Sequence, residues 1–226
     1  DRILTQLPYV EDVSISRKLP DALIFEVAES AGVAWVESGG SYWLMNGRCK
    51  LLETGDAALV QGKPQLLGLT PESPTVGNTL TVPPEGQDKL ERLQAFLGAI
   101  QARLMTGSLS AFIDLSSDNE IRFGYGQNLT VIFPLNGDFD NATYELKRTL
   151  ETMDERGIPR TGTLDLNYES KEVHLLPERW VPEGWSPPEP PVQTPEPPAA
   201  EGGPGETEPV PEHTPTTPEQ VPEPAE

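Results

Sequence analysis

Proline is spread unevenly along this 226-residue chain, and that limits where it can fold: 16 of the 25 prolines lie between Pro177 and the C-terminus. Proline locks φ and has no N–H to give to a ladder or a helix. The same 50 residues carry 11 acidic side chains and one basic residue, Arg179. A segment such as "PPEPPVQTPEPPAAEGGPGETEPVPEHTPTTPEQVPEPAE" has too little apolar surface to offset its chain entropy. It reads as a disordered, self-repelling arm of polyproline II character, either a plain spacer or an exposed arm. The packed body is therefore expected within residues 1–178. The formal charge of −20, with no basic stripe, argues against a nucleic-acid partner.

Cys49 is the single cysteine, so no intrachain disulfide can staple the fold. No run of 18 apolar residues is present, and no signal peptide. Asp1 is not a natural start residue, so the expectation is a fragment or processed chain with its true N-terminus upstream.

Within the body, residues 1–7 read as the last turns of a helix, with Ile3, Leu4 and Leu7 apolar and Pro8 as the stop. "VEDVSISRK" reads as a half-buried strand and "LIFEVAE" as a second, joined by "LPDA", with Leu23, Phe25 and Val27 on one face. "GVAWVES" and "SYWLMN" flank Gly39-Gly40, a strong hairpin signal, and "NGRCKLLE" adds a strand after a turn at Asn46-Gly47. Residues 55–86 read as loops with a short strand near Gln65–Leu69. Leu90, Leu93, Phe96, Leu97, Ile100 and Leu104 make one stripe of a helix over 88–105, with Asp88 as cap and Gly107 as stop.

Three strands follow, "LSAFIDLS", "EIRFGYG" and "LTVIFPL", the first two joined at Ser117-Asp118-Asn119. A second helix is expected over about 139–156, with Phe139, Ala142, Leu146, Leu150 and Met153 on its apolar face and Gly157 at its end. "TGTLDLNY" and "EVHLLP" close the body as a strand pair turning at Glu169–Lys171. Helices and strands do not alternate regularly, so an α+β fold is expected, with two helices packed on antiparallel strands, rather than a doubly wound parallel sheet.

Few residues point to chemistry. Asp114, Asp118 and Glu120 could act as acid and base or hold Ca²⁺, but their spacing is not that of an EF-hand and a polar hairpin turn explains them. His174 stands alone in the last strand, and His213 lies in the tail. No nucleophile motif and no phosphate loop is present. The expectation is a non-enzyme without cofactor or metal. Trp35, Tyr42 and Trp43 could stack on sugars if exposed in a row, or fill a β-rich core. Trp180 and Trp185 flank the start of the tail and could tether it. "EVHLLP", the last strand, is a candidate open edge to which a partner could add a strand.

"LPYVEDVSISRKLPDALIFEVAES" followed by "VAWV" resembles the end of a POTRA domain of the FtsQ/DivIB bacterial division proteins. "SAFIDLSSDNEIRFGYGQNLTVIF", "LKRTLETM" and "GTLDLNYESKEVHLLPE" look like the β domain of that family. The resemblance covers essentially residues 1–178. It implies the C-terminal part of a POTRA domain at 1–30, a β domain at 31–178 and an unstructured tail at 179–226.

What the family implies is an extracytoplasmic scaffold of the divisome, anchored in the cell membrane by one upstream helix. It binds FtsB/DivIC- and FtsL-type proteins, with a septal transpeptidase as a further candidate partner, and helps to regulate septal peptidoglycan synthesis. By that resemblance Tyr168 and Ser170 would touch the partner, and the backbone of Val173, His174 and Leu175 would offer the ladder. Some members carry an Arg before that Tyr and a Trp in the last strand. Here Asn167 and Leu175 or Leu176 stand there, which puts the family's ion pair with the partner in doubt. The other readings are a cell-wall polysaccharide-binding module, a POTRA-type translocation or chaperone subunit, and a hydrolase using Asp114 and Asp118.

Overall fold

A computed structural model describes residues 6–166 and 173–188, all within one compact unit that spans Asp1–Pro191. Gln6 is helical, and the rest of the expected N-terminal helix, residues 1–5, lies outside the described residues. Strands β1 (Val10–Lys18) and β2 (Ala22–Glu29) form the expected hairpin, antiparallel, with Ile15 opposite Phe25 and Val13 opposite Val27. The expected apolar face exists but is not buried: Ile15, Leu23, Phe25 and Val27 are all more than half exposed. Two strands cannot cover their own face, because burial needs a second layer.

A nine-stranded sheet makes the body. Its members are β3 (Ala34–Ser38), β4 (Ser41–Met45), β5 (Leu51–Gly55), β6 (Gln65–Leu67), β7 (Leu109–Asp114), β8 (Glu120–Tyr125), β9 (Asn128–Pro134), β10 (Thr161–Asp165) and β11 (His174–Leu176). They lie in the order β11-β10-β9-β8-β7-β6-β3-β4-β5. The fold is α+β, as expected, but the sheet is mixed rather than antiparallel: β3 with β6, β6 with β7, and β9 with β10 run parallel. The reason lies in the two helices, α1 (Gln87–Ala102) and α2 (Phe139–Glu155). Each returns the chain to the end of the sheet it left, which parallel neighbours require. Both crossovers step the same way between strands that point the same way. Right-handedness then puts both helices on one face.

That face holds the core. Phe96 of α1 meets Phe123 of β8 with centroids 4.8 Å apart, and Phe139 of α2 at 5.8 Å. The predicted stripe of α1 is buried as far as Ile100, but Leu104 is 94% exposed. The helix stops before it, at Ala102. Leu104 takes φ 59°, its N–H bonds Gln101 O, and Met105 N–H bonds Ile100 O. This is a Schellman ending with leucine at the position glycine usually fills, so Gly107 is not the stop. Asp88 is not the cap either: it lies in the first turn, and Gly86 holds the N-cap without a side-chain bond. At α2 the expected apolar face and the Gly157 ending are found, together with an N-cap beyond those expectations. Asp138 accepts from the N–H groups of Asp140 and Asn141, and Gly157 ends the helix at φ 65°.

The turn before β5 also differs. It spans Asn46 to Lys50, and its left-handed residue is Cys49 at φ 58°, not Gly47. The Asn46 carboxamide oxygen accepts from the N–H groups of Arg48 and Lys50, which holds the longer turn. Burial pushes the Cys49 thiol up to about 12.

Gly98 sits in the middle of α1, exposed, with nothing within 4 Å of the point where a β-carbon would lie. Gly98→Ala should stabilise the protein by about 1 kcal/mol, because alanine restricts the unfolded chain and meets no obstacle. Denaturant titration with unchanged m-value would check it.

Candidate functional site

The two edges of the nine-stranded sheet are treated differently. Beside β5, the N–H of Leu51 bonds Asn78 O, Gly77 N–H bonds Leu51 O, and Leu80 N–H bonds Cys49 O. The loop around 77–80 thus occupies the start of that edge. The hairpin reaches the same end: Tyr9 donates to the Glu53 carboxylate at 2.6 Å, Lys50 Nζ donates to Val10 O at 3.1 Å, and Arg48 pairs with Glu11. The bond to Glu53, aided by burial, raises the Tyr9 hydroxyl to about 12.

At the other end lies β11, three residues long, paired to β10 with Leu176 opposite Thr163, Leu175 opposite Leu164 and His174 opposite Asp165. Among the described residues no strand lies beyond it. Val173, Leu175 and Leu176 are 44%, 38% and 51% exposed, a high exposure for branched apolar side chains at and beside a strand. An edge of this kind is a template for another strand.

Leu175 shares the helix-covered face with its partner Leu164. Together with Val173 they line a groove of about 310 Å³ against Met153 of α2 and Ile158 just after it. Met153 and Ile158 are both placed by the helix ending, in which Ile158 N–H bonds Met153 O. Arg148 of α2 and Arg156, the residue that caps its end, also line the groove, and neither makes an ion pair among the described residues. The site is a largely apolar slot beside a strand edge, flanked by two cations and the Glu145 carboxylate. It suits an extended segment with apolar side chains on one face and carboxylates nearby.

Of the residues the sequence nominated, Val173, His174 and Leu175 come together here. Tyr168 and Ser170, with the turn at Glu169–Lys171 and Asn167, lie outside the described residues. The helix side of the groove was missed. Its signal was a strand, a helix and a strand in succession over 128–165, which a right-handed crossover turns into neighbours.

Other nominated residues are engaged elsewhere. Asp114 is buried and accepts from Ser116 N–H and Oγ, an Asx turn. Lys89 sits 2.9 Å from Asp118 and holds that carboxyl below its usual range. Trp35 is buried and donates to Lys63 O, with Tyr42 edge-on at 5.1 Å. Trp43, the next residue along β4, turns to the opposite face and packs against the core. The three rings form no exposed row, which removes the feature the polysaccharide reading needs.

Packing also continues past residue 178, where the body was expected to end. Trp180 and Trp185 set their edges against Phe112 of β7, with centroids 5.6 and 5.5 Å apart. Arg122 lies over the Trp180 ring at 4.5 Å.

Comparison of the sequence with protein-family models and with curated proteins returned no match.

Proposed function

We propose that this chain is a non-enzymatic scaffold of the FtsQ/DivIB type, which captures an extended segment of a DivIC-like partner by strand addition at β11. The observation that carries the reading is the asymmetry of the sheet. One edge is occupied by a loop and a hairpin, and the other ends in an exposed apolar strand beside a groove. The sequence resemblance supplies the class of partner, and the groove supplies a chemistry for it. Arg148 and Arg156 take the place of the arginine that some family members carry before the tyrosine. The partner strand then brings acidic side chains to α2. In this reading the protein acts outside the cytoplasm, tethered through a segment upstream of Asp1, and the first residues belong to a POTRA domain.

The test is calorimetric titration of the full chain with the extracytoplasmic segment of the DivIC-like partner, with Val173→Pro alongside. Val173 directly precedes β11, where the sheet tolerates proline, but the incoming strand loses a donor. Loss of one ladder bond and of strand geometry should weaken binding about tenfold or more. Equal affinity for the two proteins would place the contact elsewhere.

A further inference from the structure

Strand β11 is poorly held by the sheet alone. It has three paired residues, and its side chains are largely exposed. The chain that follows it does not leave. It turns onto the face opposite the helices and crosses β10, β9, β8 and β7 in turn. Thr163 of β10, the partner of Leu176, is buried there. Its hydroxyl donates to Glu178 O at 2.8 Å and accepts from Trp180 N–H at 2.7 Å. Thr130 of β9, also buried, donates to Trp180 O at 2.7 Å. Arg179 Nη1 donates to Gln127 O at 2.9 Å, at the turn before β9. Arg122 of β8 covers the Trp180 ring, and Phe112 of β7 receives both tryptophans.

We propose that residues 178–185 are a clamp that holds β11 in the sheet, so that the edge offered to a partner is β11 and not β10. The geometry is specific to this task. Two threonines point away from the core on adjacent parallel strands, and they grip the backbone only two to four residues beyond Leu176. Their hydroxyls do for the strap what a ladder does for a strand. When the strap is in place, β11 cannot peel away without also breaking these bonds and exposing two indole rings. When the strap lifts, β11 is left with three residue pairs, and β10 becomes the outermost strand.

Trp180 and Trp185 are thus positioning residues for the edge. Arg179 Nη2 and Trp185 Nε1 are buried with no hydrogen-bond partner among the described residues, which weakens the strap relative to the sheet behind it. Burial lowers the Arg179 pKa accordingly. The inference rests on the strand-addition reading for its meaning, but not for its test.

The test is amide hydrogen exchange on the full chain without a partner, comparing the wild type with Trp180→Ala and with Thr163→Val. Valine keeps the shape and strand preference of threonine and removes only the hydroxyl. Exchange at His174 and Leu176, whose amides face β10, should quicken about tenfold or more in both variants, while amides of β8 and β9 keep their protection. Unchanged exchange in β11 overturns the clamp. So does a uniform rise across all strands, which would make these residues ordinary contributors to stability. Failure of partner binding in the calorimetric titration would leave this result untouched, so the two ideas fall separately.

Discussion

Replacing Gly162 with alanine is expected to detach β11 and abolish most partner binding, while leaving the rest of the sheet folded. Gly162 lies in β10 at φ +101°, a conformation that L-residues rarely adopt. A β-carbon there would stand 2.1 Å from the carbonyl oxygen of Leu176. The obstacle is backbone, so no rotamer change relieves it. One of the two strands must move. β10 is bonded on its other side to β9 over Thr161–Asp165, whereas β11 has a neighbour in β10 alone among the described residues. The outer strand yields.

A clash and backbone strain of about 3 kcal/mol would lower the constant for docking β11 roughly a hundredfold. Apparent affinity for a strand-adding partner should then fall in proportion to the docked fraction lost, by up to about a hundredfold. Calorimetric titration measures the affinity, and hydrogen exchange at His174 and Leu176 reports the detachment without a partner. Wild-type affinity in a Gly162→Ala protein whose β11 exchanges freely would sink the proposal that β11 is the docking strand.

The second large effect is on the fold. Phe96→Ala should destabilise the protein by about 4 kcal/mol and lower Tm by about 10–15 °C. Phe96 is fully buried, and it is the ring through which α1, α2 and the sheet meet: Phe123, Phe133 and Phe139 lie 4.8, 6.2 and 5.8 Å from it. Truncation leaves a cavity with walls on three elements. None can close it without moving away from the other two. Thermal unfolding followed by calorimetry gives the number. A loss below about 1 kcal/mol would mean that this face repacks easily, contrary to its tight ring geometry.

The locally encoded parts of the structure were legible in the sequence. The apolar stripe of α2 and the Gly157 ending are short-range features, and they lie where the periodicity puts them. The hairpin turns at Leu19–Ala22 and Gly39-Gly40 follow from turn residues in the same way. Where local rules failed, a competing local interaction had won. Leu104 takes the left-handed position because the chain must turn there toward Met105, which is buried, although leucine is an unfavourable residue for that ending. The Asn46 side chain bonds two amides and so lengthens a turn that Asn46-Gly47 alone would have kept short.

The candidate site was legible only in part. "EVHLLP" could be nominated as an edge because it is the last strand before the proline-rich stretch. Nothing in the strand itself says that β10 runs parallel to β9, that α2 therefore lies beside Leu175, or that Arg148 and Arg156 face the same groove.

By itself, the sequence determined the types of the helices and strands, the acidity, and the limit that proline sets on the folded part. These depend on residues within a few positions of one another. Tertiary structure decided which edge stays open, which apolar face stays uncovered, and that Trp180 and Trp185 belong to the body. Those outcomes depend on pairings between residues as far apart as Thr130 and Trp180. Long-range pairing is settled by competition among all the available surfaces at once, and no local pattern records its result.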